Sequence, residues 1–203
     1  MKKLALSFYT KKDVVQIAKE LIGMLVVTRI DDALTIARIV ETEAYKGITD
    51  RASHSYNGKR TARNEHMYMC AGTVYIYICY GMHQMLNVVT NEKEIPDAIL
   101  IRAVEPVAGI ETMLERTGKE MGDVTLTRGP GNLAKAMGIQ KKYSGIHFTG
   151  NEIMLYQDEE SKIPIQKIGI SKRIGVASAG ADALLPYRFY LKGNKYVSAS
   201  PNK

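Results

Sequence analysis

Glu43 closes a run of β-branched and apolar residues, and downstream of it the chain supplies Tyr45, His54, Tyr75, Tyr77 and Tyr80. A carboxylate mounted on a strand end can take a proton from water, and tyrosine faces attract flat rings that are electron-poor or cationic. Together these side chains suit chemistry in which a flat ring is gripped while water is activated beside it. A nucleobase is the ring that fits this arrangement best.

Each of these residues also has a plainer use. Strict alternation from Thr35 puts Ala37, Ile39, Glu41 and Glu43 on one face of the strand and Ile36, Arg38, Val40 and Thr42 on the other, with the two glutamates about 7 Å apart. Such a pair would serve a carbohydrate hydrolase, with one acid and one base or nucleophile, or it could be a solvated strand end. His54 lies in a polar stretch and is either a surface histidine or a functional one. Strand propensity alone accounts for Tyr75 and Tyr77, whereas Tyr80, beside Gly81 at a turn, has less packing to explain it. Asn87 is the polar residue within Met85–Val89, so it is a satisfied core amide or part of a pocket wall. Arg102, inside an apolar strand, requires a carboxylate, phosphate or carbonyl partner. Arg63, Asn64 and Arg128 are compatible with phosphate contacts, the last just before Gly129-Pro130-Gly131-Asn132 at a helix start.

Positioning these groups calls for several elements. Thr10 is the expected cap of a helix with apolar residues at Val14, Ile17, Ala18, Leu21 and Ile22, ended by Gly23. Strands are expected at Met24–Ile30 and Ala33–Glu43, joined by Asp31-Asp32, and at Thr73–Cys79 and His83–Thr90, with Tyr80 at the tip. The polar stretch 46–71 reads as a long, functional connection. A strand at Ala98–Val104, a helix at Ala108–Arg116 and another opened by Gly129-Pro130 follow, then strands at Ile153–Tyr156, Ile168–Ile174 and Arg188–Leu191.

The bulk properties set outer limits. A chain of 203 residues suffices for one buried core, and no linker divides it. The net charge of +7 favours a polyanionic partner without demanding one. Two cysteines, Cys70 and Cys79, and four dispersed histidines give neither a disulfide framework nor a metal-ligand pattern, and no Walker or dinucleotide motif is present. Chemistry without a cofactor and a cytoplasmic setting are therefore the expectation, with no signal peptide and no membrane span.

Taken in order, the Val40–Tyr45 run, Ser53-His54-Ser55, Thr61–Asn64, Gly72–Gly81, Asn87, Arg102–Pro106, Gly129-Pro130, Arg173–Val176 and Arg188-Phe189 resemble the alkyladenine (3-methyladenine) DNA glycosylase family, mammalian type, over nearly the whole chain. That resemblance implies an α+β fold, a single mixed domain around a curved antiparallel sheet, with a protruding hairpin that inserts into DNA. It implies a monomeric, metal-free, monofunctional enzyme that flips alkylated or deaminated purines out of double-stranded DNA and hydrolyses their N-glycosidic bond, beginning base excision repair. The lesion class would include 3-methyladenine, 7-methylguanine, hypoxanthine and ethenoadenine. By the same resemblance Glu43 is the base and Arg102 supports the water. Tyr45, His54 and Tyr77 enclose the flipped base, Asn87 discourages guanine, and Tyr80 fills the gap in the duplex. Glu41 is assigned a structural part.

Overall fold

In a computed structural model that describes residues 1–198, one antiparallel sheet organises the chain. The elements are β1 (Lys2–Lys3), α1 (Leu6–Tyr9), α2 (Val14–Glu20), β2 (Leu25–Ile30), β3 (Ala33–Tyr45), β4 (Val74–Cys79), β5 (His83–Thr90), β6 (Asp97–Ala108), α3 (Ile110–Thr117), α4 (Pro130–Ala136), β7 (Ile153–Gln157), β8 (Ile168–Ser171) and β9 (Arg188–Leu191). The strands run in the order β1-β7-β2-β3-β6-β5-β4, and β9 pairs with β3 beyond the end of β2 and carries β8 at its outer edge. The expected α+β class is what forms, with α1 and α2 between β1 and β2 and α3 and α4 in the long stretch between β6 and β7.

Local sequence explains most boundaries. Asp31 and Asp32 both take positive φ, 53° and 57°, the two-residue turn whose twist suits a hairpin, and Ile30 pairs with Ala33 across it. The cap of α2 is Asp13 rather than Thr10: its carboxylate accepts from the amides of Val15 and Gln16 at 3.0 and 3.2 Å. Thr10 instead ends α1, since its amide bonds back to Leu6, and the stronger acceptor three residues later starts the next helix. Gly23 adopts φ +93°, and a Cβ there would lie 2.5 Å from Ile163 Cγ1 and 2.9 Å from Ser161 O, so both its backbone and its neighbours require glycine. The strand expected to run to Ile174 stops at Ser171.

The sheet has two unlike faces. One packs on α2 and α4 through Val26, Ala37, Ile39, Ala44, Val74, Ile76, Leu86, Val88, Ile99, Ile101 and Val104, all buried in the main core with Ile17, Leu21 and Leu133. Each such Val, Leu or Ile side chain contributes about 1.5–3 kcal/mol of burial. The other face carries Leu25, Val27, Ile36 and Met154 toward one end and, toward the other, the residues of the candidate site.

Strict alternation does not survive along β3. Ala37 and Ile39 face the core, but so do Thr42, whose hydroxyl donates to the Ala18 carbonyl at 2.7 Å, and Ala44. β6 shows the same slip, with Val104 and Ile101 both in the core. Ile39 pairs with Val104 and Thr42 with Ile101 at one common offset, and the irregularity lies between them, where Glu41 pairs with Ala103. Each strand thus spends one extra residue at the same level, a matched kink. Glu41 and Glu43 consequently lie opposite Ala37 and Ile39, not beside them as plain alternation requires. The kink turns two carboxylates away from the core.

Candidate active site

Beyond the kink, the face of the sheet opposite the main core forms the floor of a cavity. Four strands meet in register there: Tyr75 on β4 is opposite Asn87 on β5, Asn87 is opposite Leu100 on β6, and Leu100 is opposite Glu43 on β3. Directly opposed residues share a face. The neighbouring rows add Tyr77 with Met85, and Tyr45 with Ala98. The cavity measures about 490 Å³, and its lining includes Tyr45, Tyr75, Tyr77, Asn87, Leu100 and Arg102 from this floor. It is the right order of size for a small flat ligand.

Two segments close the sides. The first is the connection 46–71, which supplies Ser53, His54, Arg63 and Met67; the second contributes Ile174, Gly175, Val176 and Ser178. The long connection is held by Asn64. Its amide donates to the carbonyls of His54 and Lys59 at 3.0 and 2.8 Å and to the Ser55 hydroxyl at 3.0 Å, and its Oδ1 accepts from the Thr61 amide at 2.7 Å. Asn64 is 1% exposed, so the phosphate contact expected of it is withdrawn: its polar atoms are spent inside the loop. Arg63 is exposed and stacks 5.4 Å from the Tyr77 ring centre. Arg128 is half-buried before α4 and donates to the Lys195 carbonyl, which occupies part of the group expected to meet phosphate.

His54 and the tyrosines make an angled wall. The His54 and Tyr77 rings meet edge to face at 4.5 Å, and Tyr75 lies 5.7 Å from Tyr77. His54 Nδ1 is 2.9 Å from the Tyr75 hydroxyl. Burial lowers the His54 pKa to about 4, with Arg63 and Lys59 pushing the same way, so the imidazole is neutral at physiological pH. Burial likewise raises the Tyr77 hydroxyl to about 12. Asn87 donates to the carbonyls of Tyr75 and Met85 at 3.2 and 2.9 Å, which fixes its amide and leaves its oxygen as the group for a ligand.

Glu43 is fully buried, just beneath the lining. Its Oε1 accepts from the Ile174 amide at 2.7 Å, and Oε2 from the Tyr45 hydroxyl at 2.8 Å and from Arg102 at 3.3 Å. All three partners line the cavity. Burial pushes the Glu43 carboxyl above the ordinary carboxylate range, against the opposing pull of Arg102, the Ile174 amide and Tyr45. A carboxylate so placed is a stronger base than one in water. Arg102 also reaches Glu41 at 3.3 Å, and Glu41 is sealed by Arg188 at 2.6 Å and the Ser198 amide at 2.9 Å. Two acids held by one guanidinium cannot stand on opposite faces of a sugar, which removes the carbohydrate-hydrolase arrangement.

At the mouth, β4 and β5 project as a hairpin. Tyr80, at its tip, is 90% exposed with φ +50°, and Met82 beside it is 70% exposed. The sequence indicated Tyr80 but not the exposed partners Met82 and Ile78. Nor did it indicate the Ile174 amide, because a backbone donor far along the chain leaves no side-chain signature. Tyr75 was readable from its alternation with Tyr77.

Residues 7–195 match the family model described as methylpurine-DNA glycosylase. A Desulfitobacterium hafniense protein provisionally named a 3-methyladenine DNA glycosylase is 43% identical, with 98% of this chain and 99% of that protein aligned. Proteins with the same provisional name from Clostridium novyi (40% identical, 98% and 99% covered) and Borreliella afzelii (42%, 94% and 97%) are similarly related.

Proposed function

The chain belongs to the methylpurine-DNA glycosylase family and is thus a DNA glycosylase, a hydrolase of N-glycosyl bonds; from that premise we propose that it excises alkylated and deaminated purines by turning the damaged nucleotide into the cavity above β3–β6 and attacking its sugar with a water that Glu43 deprotonates. The observation that carries this reading is Glu43 itself, a buried carboxylate of raised pKa directly behind an aromatic cavity large enough to admit a purine.

Extruding a nucleotide costs a few kcal/mol of stacking, less at a damaged pair. The tyrosine and histidine faces return part of this, and they favour bases that alkylation has made cationic. Alkylation also improves the base as a leaving group, so Glu43 has only to generate hydroxide character in the water and to steady the positive sugar as the bond breaks. Arg102 orients that water and balances charge beside Glu43. Asn87, pinned by two carbonyls, is a fixed part of the wall, so the exocyclic amine of guanine is discouraged by crowding against it and not by an unfavourable hydrogen bond. No lysine lines the cavity among the described residues, which supports simple hydrolysis over a Schiff-base route. Tyr80 would occupy the space the nucleotide leaves, with Arg63 near the backbone. The partner is double-stranded DNA bearing such lesions, bound by a monomer. No helix among the described residues is long and apolar enough to cross a membrane.

Release of free base from methylated duplex DNA, followed by chromatography under single-turnover conditions, tests the reading. Wild type should release 3-methyladenine, and Glu43→Gln should release none while still binding an abasic-site analogue. Excision by Glu43→Gln within about tenfold of wild type would remove Glu43 from this role. A protein that binds the duplex but releases no base would be a binding module instead.

A further inference from the structure

Arg102 stands between two buried carboxylates, 3.3 Å from each, through Nε to Glu41 and through a terminal nitrogen to Glu43. Both contacts are long for charge-assisted hydrogen bonds, which usually close to about 2.7–2.9 Å. The guanidinium is therefore divided and committed to neither. What fixes that division is visible on the Glu41 side. Oε1 of Glu41 is already bound to Arg188 Nε at 2.6 Å and Oε2 to the Ser198 amide at 2.9 Å, and Arg188 is in turn held by the Ser171 hydroxyl and the Ser198 carbonyl, each at 3.0 Å. Glu41 is fully buried with both oxygens hydrogen-bonded, is not among the residues that line the cavity, and cannot itself meet a substrate.

We propose that Glu41 is a positioning residue for the reaction, acting through Arg102: anchored by Arg188 and Ser198, it holds one edge of the guanidinium so that only one nitrogen of Arg102 serves Glu43. The proposal rests on the reading of Glu43 as the base. Its physical content is a balance of charge. Glu41 and Glu43 supply two negative charges to a buried cluster, and Arg102 and Arg188 supply two positive ones. The other groups facing Glu43 are Tyr45 on its own strand, Tyr77 from β4 and Arg173 beside Ile174. Were Glu41 neutral, Arg102 would settle fully on Glu43 and make it a weaker base. Were Arg188 withdrawn, Glu41 would draw Arg102 away and Glu43 would hold its proton to higher pH.

The experiment is a pH profile of single-turnover excision on a methylated duplex for wild type, Glu41→Gln, Arg188→Lys and Glu43→Gln, each checked for folding by its melting temperature and for binding to an abasic-site analogue. Glu41→Gln should lose about threefold to tenfold of the plateau rate with unchanged analogue affinity, while the acid limb of its profile moves to lower pH. Arg188→Lys should move that limb to higher pH. Opposite displacements distinguish positioning from a structural part, which would lower stability in both variants and move neither limb. Each variant has its own sign, so either one decides if the other does not fold. Limbs that superimpose on wild type, with Glu43→Gln inactive, overturn the role of Glu41 and leave that of Glu43 standing. Activity in Glu43→Gln overturns the base itself.

Discussion

The Tyr45 hydroxyl donates to Glu43 Oε2 across 2.8 Å, two residues along one strand, and its ring lies 4.8 Å from the guanidinium of Arg173. One side chain therefore both lines the cavity and steadies the carboxylate. The two duties separate in Tyr45→Phe, which keeps the ring and loses the hydrogen bond. Because that bond holds the Glu43 pKa down against burial, its loss should move the acid limb of the excision profile to higher pH, while affinity for a lesion duplex stays within about threefold of wild type. An unmoved limb would show that the bond is idle.

Glu43 should cost stability at neutral pH. Its folded pKa is raised, so the fold favours the protonated form; the group's contribution is complete below the ordinary carboxylate pKa and is lost as pH rises through the folded value. Glutamine stays neutral throughout. The melting temperature of Glu43→Gln relative to wild type should therefore rise as pH increases above the ordinary carboxylate range of about 4. A difference that stays constant as pH increases there would contradict a raised pKa.

For His54 the sign is opposite. Burial depresses its pKa from 6.5 to about 4, so the neutral ring is the favoured one, and its contribution, full above the ordinary value, falls away as pH drops through that window. Nuclear magnetic resonance of the imidazole should show no protonation until the lower figure is approached. Excision should carry no limb from this ring at physiological pH, and a ring that titrates near 6.5 would refute the assignment.

Tyr80 holds φ +50°, a conformation that costs a residue of its kind on the order of 1 kcal/mol, and its side chain is almost wholly exposed. Asparagine tolerates that backbone better. Tyr80→Asn should thus match or exceed wild type in melting temperature, yet lose about tenfold to a hundredfold in affinity for a lesion duplex, the equivalent of one stacked ring. Tyr80→Phe should keep both. A stable Tyr80→Asn protein with full duplex affinity would eliminate the wedge.

What could be read in the sequence was local. The Asp31-Asp32 turn, the hairpin with Tyr80 at its tip and the strand Arg188–Leu191 follow from residue type and period, whereas the gathering of Tyr45, His54, Tyr77, Asn87 and Arg102 around one cavity was implied by the family resemblance and not by any local pattern. What escaped depends on partners distant in the chain. The Ile174 amide reaches Glu43 from 131 residues away. Asn64 resembled a surface polar residue because its four partners come together only when the loop closes. The cap at Asp13 was a choice between two acceptors three residues apart, decided by where α1 ends.

The matched kink in β3 and β6 makes the site sensitive to length as well as to composition. Deleting Val40 alone would straighten β3 while β6 kept its surplus residue, so every pair beyond that level would be mismatched, from Thr42 with Ile101 to Tyr45 with Ala98. Deleting Ala103 as well would bring both strands back into step, with Glu43 still turned toward the cavity. The two deletions should thus behave as mutual suppressors, each crippling alone and tolerated together, a genetic linkage between two positions that carry no chemistry of their own.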